Sequence, residues 1–173
     1  MKNNIILIGM PGAGKSTAGV ILAKTLGYDF IDTDILICRN TGATLQDYID
    51  AHGIDSFLRI EESTALSLDC DNTVIATGGS MALSDPAMGH LKRDSVTVFL
   101  DVPFSELAAR LKNIRTRGIL LSPGQTLENL YHTRVPIYKR YADITVKARN
   151  GADIEETVGE IIQSLRLTKA LNL

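Results

Sequence analysis

The sequence predicts a three-layer α/β fold, in which a five-stranded parallel sheet lies between two layers of helices. Three observations carry that prediction. Five short runs rich in apolar and β-branched residues alternate with stretches of helical spacing. The first run leads directly into Gly9-Met10-Pro11-Gly12-Ala13-Gly14-Lys15-Ser16. This fits G-x-x-x-x-G-K-[ST], the phosphate-binding loop of P-loop NTPases, in its required place between a strand and a helix. At 173 residues and 45% hydrophobic composition, the chain can bury the core of one domain.

Each element has its own local reason. The first strand is the apolar run 4–8, and residues 17–26 follow with helical spacing as far as Gly27. The second strand, 28–31, ends in Asp32-Thr33-Asp34, and helical pattern returns over 35–40. Thr44 suits the N-cap of a helix over 45–51, which Gly53 ends. A longer helix is expected over 55–68, with Phe57, Ile60, Ala65 and Leu68 facing inward. The third strand, 72–77, stops at Gly78-Gly79-Ser80. Ser84-Asp85-Pro86 is a helix start, with proline in the first turn. Residues 95–100 form the fourth strand, and Pro103 opens a helix that turns Leu107, Ala108 and Leu111 inward.

Residues 112–124 break the pattern. The segment is basic, holds two glycines and a proline, and separates two helices. A loop of this length in a compact domain suits a lid. From Thr126 a helix carries Leu127, Leu130, Tyr131 and Arg134 towards Tyr141, with Pro136 as an expected kink. Residues 143–146 form the fifth strand. Asp153 and Glu156 form a capping box for the last helix, whose apolar stripe is Ile154, Val158, Ile161, Ile162 and Leu165.

The formal net charge of −2 argues against a general nucleic-acid or acidic-membrane binder. The charge is unevenly spread: residues 92–149 hold 11 Lys and Arg against 5 Asp and Glu. Such a basic stretch in a near-neutral chain suggests one anion-handling face. Cys38 and Cys70 are far apart and lack C-x-x-C spacing, so free thiols in a reducing compartment are expected. The N-terminus enters a strand directly, and no apolar run approaches the ~20 residues of a membrane span. A cytoplasmic monomer with no membrane or nucleic-acid partner is expected.

In the P-loop, Gly12, Ala13 and Gly14 let backbone N–H groups wrap a polyphosphate, and the following helix adds its positive end. Lys15 can reach the β- and γ-phosphates, and the Ser16 hydroxyl can bind Mg²⁺. Asp32 and Asp34 are two residues apart, so on an extended segment they point the same way. One suits Mg²⁺ and the other suits taking a proton from an acceptor hydroxyl, although the same triplet also suits capping of the next helix. Gly78 and Gly79 allow close approach of a ligand to the backbone. Arg134 suits a carboxylate or a phosphate held bidentately, and Arg110, Arg115 and Arg117 flank or lie in the lid. In an α/β sheet, ligands sit beyond the carboxyl ends of the strands, where the P-loop, Asp32-Thr33-Asp34 and Gly78-Gly79 all fall. His52, His90 and His132 form no spaced cluster, so no transition-metal site is expected.

The P-loop, Asp32-Thr33-Asp34, the segment from Phe57 to Glu61, Gly78-Gly79, Arg117 and Arg134-Val135-Pro136-Ile137-Tyr138 occur in the order and spacing of the shikimate kinases. The chain resembles that family over nearly its whole length. The resemblance implies a small nucleoside-monophosphate-kinase-like P-loop domain that uses ATP and Mg²⁺ to phosphorylate the 3-hydroxyl of shikimate. It implies that Lys15, Ser16 and Thr17 lie at the phosphates, that Ser16 and Asp32 hold Mg²⁺, and that Asp34 binds the acceptor and takes its proton. Gly78 and Gly79 would meet the acceptor from the loop after the third strand and Arg134 from the helix after the lid; Arg59, which matches no family position, is a further substrate-binding candidate from the acceptor-binding helices within 34–69. Arg117 would meet the phosphates from the lid.

Three features depart from the family pattern. Its third glycine is Ser80 here, and the lid reads Arg117-Gly118-Ile119-Leu120 in place of Arg-Pro-Leu-Leu. The arginine that follows phenylalanine in the family and binds the shikimate carboxylate is Leu58. Arg59 is adjacent, but one residue along a helix is a turn of about 100°. Three readings follow. The first is a kinase of shikimate. The second is a kinase of another small hydroxylated metabolite, motivated by Leu58 and Ser80. The third is a nucleotide-binding module without catalysis, against which Lys15, Ser16, Asp32 and Asp34 argue. The lack of an Asn-Lys-x-Asp guanine-reading segment argues against a GTPase.

Overall fold

The computed structural model describes residues 3–111, 124–148 and 153–168. Five parallel strands run in the order β2-β3-β1-β4-β5. They are β1 (Asn4–Ile8), β2 (Asp29–Asp32), β3 (Thr73–Ala76), β4 (Ser95–Asp101) and β5 (Ile144–Lys147). All five residues of β1 are buried, as are all four of β3. Burial on both faces is why these central strands read as unbroken apolar runs rather than alternating ones. Register follows from Ile6 pairing with Ile75 on one side and Thr97 on the other.

The helices are α1 (Lys15–Leu26), α2 (Thr33–Thr41), α3 (Leu45–His52), α4 (Ile54–Ser67), α5 (Asp85–Lys92), α6 (Phe104–Arg110), α7 (Leu127–Tyr141) and α8 (Ile154–Leu167). A short 3₁₀ turn, Met81–Leu83, lies between β3 and α5. The expected caps form. The Thr44, Ser84 and Asp153 side chains accept from the amides of Asp47, Ala87 and Glu156 at 3.1, 3.1 and 2.8 Å. α7 runs through Pro136 without a break in the helix. None of the described helices is long and apolar enough to cross a membrane.

Three local expectations are corrected. α1 begins at Lys15, so Lys15 and Ser16 belong to the first helical turn rather than to the loop before it. Asp32 and Asp34 do not share an extended segment. Asp32 ends β2 and caps α2 by accepting from the amides of Asp34 and Ile35 at 3.0 and 3.2 Å, which starts the helix at Thr33. Ala108 is exposed, while Leu107 and Leu111 are buried, because the seven-residue α6 buries only a narrow stripe.

Candidate active site

The P-loop turns between β1 and α1 at the carboxyl end of the sheet. Gly12 and Gly14 have φ of +78° and +92°, a region that a side chain makes costly. Lys15 is only 7% exposed, and its ammonium donates to the carbonyls of Gly9 and Met10 at 2.8 and 2.9 Å. Burial lowers its pKa to about 8, against the pull of the Asp34 and Asp32 carboxylates. The ammonium therefore stays largely charged at neutral pH. The Ser16 hydroxyl donates to Asp32 Oδ2 at 2.5 Å. A hydroxyl and a carboxylate oxygen thus sit together, an oxygen donor pair of the kind that hard divalent cations take. Asp32 does two things at once, since its other oxygen caps α2.

Lys15, Ser16, Asp34, Thr77 and Gly79 share the wall of a cavity of about 440 Å³. Asp34 Oδ1 is buried without a hydrogen-bond donor. Burial raises the Asp34 pKa to about 6, with Lys15 opposing and Asp32 adding to the rise. The structure therefore brings together these groups from α1, α2 and the loop after β3.

The Gly78-Gly79-Ser80 loop is pinned from three helices. The Gly78 amide donates to Thr33 Oγ1 at 3.1 Å, the Tyr138 hydroxyl donates to the Gly79 carbonyl at 2.5 Å, and the Ser80 hydroxyl donates to Glu61 Oε2. No Cβ fits at Gly78, where it would stand 2.4 Å from Glu61 Oε1 and 2.6 Å from Asp34 Oδ1. At Gly79 a Cβ would stand 2.8 Å from the Pro11 ring. These glycines are needed for space rather than for an unusual φ.

Arg134 is buried on α7 and lines a second cavity of about 310 Å³ with Ile54, Leu58, Leu83, Leu130 and Ile137. Arg59 is exposed and borders a different, smaller cavity with Leu58, Glu62 and Ser84. The two arginines line different cavities. Arg110 donates to the Gly12 carbonyl at 3.2 Å, and with Gly14, Thr17 and Ile154 it walls a third cavity of about 240 Å³. Arg117, Arg115 and all but the last residue of the expected lid lie outside the described residues.

Sequence reasoning passed over Glu61, Thr33 and Tyr138 as functional residues. Glu61 carried a usable signal: it falls four residues after Phe57 and four before Ala65, on the buried stripe of α4. Burial raises its carboxyl to about 7, with the Ser80 hydroxyl opposing. Among the described residues no group of three or more His, Cys, Asp or Glu could hold a metal ion, and Cys38 and Cys70 are free.

The sequence profile of the shikimate kinase family matches residues 11–166. The chain belongs to the shikimate kinase family. It is 40% identical over 162 residues to shikimate kinase of Clostridium botulinum, covering 93% of this chain and 96% of that one. It is 34% identical over 165 residues to human threonine synthase-like 1, covering 94% of this chain and 22% of that longer protein. Among solved structures, shikimate kinase from Acinetobacter baumannii in complex with shikimate superposes with a TM-score of 0.87 at 33% identity, covering 98% and 95% of the two chains. Members of the shikimate kinase family are ATP-dependent phosphotransferases with an alcohol acceptor, and so is this chain.

Proposed function

We propose that the protein transfers the γ-phosphoryl group of ATP to the 3-hydroxyl of shikimate. The observation that carries this reading is the meeting of Lys15, Ser16, Asp34 and Gly79 around one cavity in a shikimate kinase family chain. The amides of Gly12, Ala13 and Gly14 and the start of α1 receive the polyphosphate. Lys15 places a buried cation against the transferring group, where little bulk water screens it. Arg110 and Ile154 flank the neighbouring cavity, whose size and walls suit a purine base. Arg117 enters this reading on the family resemblance alone.

Ser16 and Asp32 are the residues that would hold Mg²⁺. When bound there, the ion neutralises phosphate charge. Asp34 orients the acceptor hydroxyl and takes its proton. A carboxyl at about 6 is ionised at neutral pH and close enough to it to be an effective base. Gly78 and Gly79 bring the backbone against the acceptor, and Arg134 meets its carboxylate.

A second reading, a kinase of another small hydroxylated metabolite, is favoured by one observation. Leu58 stands with Ile54, Leu83, Leu130 and Ile137 around Arg134, so a carboxylate there would meet an aliphatic wall in place of a second arginine. A coupled ADP-release assay with shikimate and a panel of small polyols and hydroxy acids separates the readings. Release with shikimate supports the first. Release only with a non-carboxylate acceptor supports the second, and release with none refutes phosphotransfer to this class of acceptor.

A further inference from the structure

Ser80 and Leu58, two of the departures from the family pattern, meet in the fold at Glu61. Leu58 precedes Glu61 by three residues on α4, so the two side chains share a helix face. Leu58, Glu61 and Ser80 line the same cavity of about 170 Å³. Glu61 and Ser80 are 2% and 5% exposed, and the Ser80 hydroxyl donates to Glu61 Oε2. The other carboxyl oxygen, Oε1, is buried without a donor and packs against Gly78 beside Asp34 Oδ1. A buried carboxyl that loses its donor must move, take a proton or bear the cost of being unsatisfied. Any of these changes what lies under the Gly78-Gly79 backbone.

We propose that Ser80 and Leu58 are a compensating pair: Ser80 supplies the donor that fixes Glu61 beneath the Gly78-Gly79 loop, so this chain holds its acceptor loop without a cation at position 58. Ser80 acts through Glu61 and is a positioning residue. The charged groups that face Glu61 are Asp34 on α2, Arg134 on α7 and Lys15 on α1. Lys15 already donates to two carbonyls of its own loop. An arginine at 58 would add a cation to the face of α4 that carries Glu61, in the cavity that Ser80 also lines.

The kinetic part of the test rests on the kinase reading; the exchange part does not. Wild type, Ser80→Ala, Leu58→Arg and the double variant are compared by amide hydrogen exchange at Gly78, whose buried N–H reports loop position. KM for shikimate and for ATP is measured in parallel. Ser80→Ala is expected to speed Gly78 exchange and raise the shikimate KM, each by roughly ten-fold, with the ATP KM little changed. Leu58→Arg is expected to restore most of both losses in the Ser80→Ala background and to leave exchange nearly unchanged in the wild-type background. Wild-type exchange in Ser80→Ala overturns the proposal, as does an equal effect of Leu58→Arg on Gly78 exchange in both backgrounds. If wild type releases no ADP with shikimate, the kinase reading fails, and the Gly78 exchange rates alone decide the compensating pair.

Discussion

Replacing Glu61 by Gln is expected to stabilise the ligand-free protein, and to do so only as the pH rises. The Glu61 carboxyl is 2% exposed, and burial lifts it from an ordinary 4.5 to about 7. Below about pH 4.5 it is protonated in folded and unfolded chains alike, and no difference arises. Between about 4.5 and 7 the unfolded chain has released the proton while the folded chain keeps it. The folded state then binds more protons, so stability falls as pH rises, and the full loss stands above pH 7. The shift corresponds to about 3 kcal/mol at pH 8 and about 1 kcal/mol at pH 5. Glutamine keeps the shape, offers a carbonyl to the Ser80 hydroxyl and presents N–H donors beside the unpartnered Asp34 Oδ1. Asp34, raised to about 6, acts in the same direction from 3.8 upwards, so the variant keeps the lower part of the pH dependence. Urea unfolding of both proteins at pH 5 and pH 8 measures the difference. A gain of the same size at both pH values, or a loss at pH 8, would refute the reasoning, because the buried charge would then not be its source.

Three further outcomes are expected. Lys15→Ala should reduce ADP release to background while circular dichroism stays that of the wild type; substantial turnover by the folded variant would remove Lys15 from the transfer. Asp34→Asn should lower kcat by ~10²–10⁴-fold with a smaller change in acceptor KM, as for loss of a general base. An unchanged kcat would leave Asp34 a binding role only. Gly79→Ala should push the loop off Pro11, whose ring lies 2.8 Å from the added carbon, and should raise KM for both nucleotide and acceptor. Wild-type KM values would show that Pro11 gives way at no cost to the site.

What could be read without the fold were the features whose physical cause is local. Strands β1 and β4 announce themselves because several consecutive residues are buried on both faces, and the P-loop does so because its chemistry needs contiguous residues. The start of α2 was misjudged because an aspartate at a strand end suits either an extended segment or a cap, and only the backbone amides it meets decide between them. The spacing of Glu61 with Phe57 and Ala65 put it on the buried stripe of α4, but a glutamate in a helix belongs by default to its solvent face, and the spacing names no partner for it. Its role came from the loop folded onto it, 17 residues on at Gly78 and 19 on at Ser80.

By itself, then, the sequence determined the order of the elements, the P-loop pattern and the end of the sheet at which the P-loop lies, because each is set by neighbours along the chain. Tertiary structure alone decided what surrounds Leu58, Arg59, Glu61 and Arg134. It set Arg134 on one cavity and Arg59 on another, with Leu58 bordering both, because which neighbours close over each side of α4 depends on the helices and loops packed against it. It also joined Ser80 to Glu61 and Tyr138 to Gly79, contacts that span 19 and 59 residues. Contacts across such distances depend on how helices pack on the sheet, which local spacing does not encode.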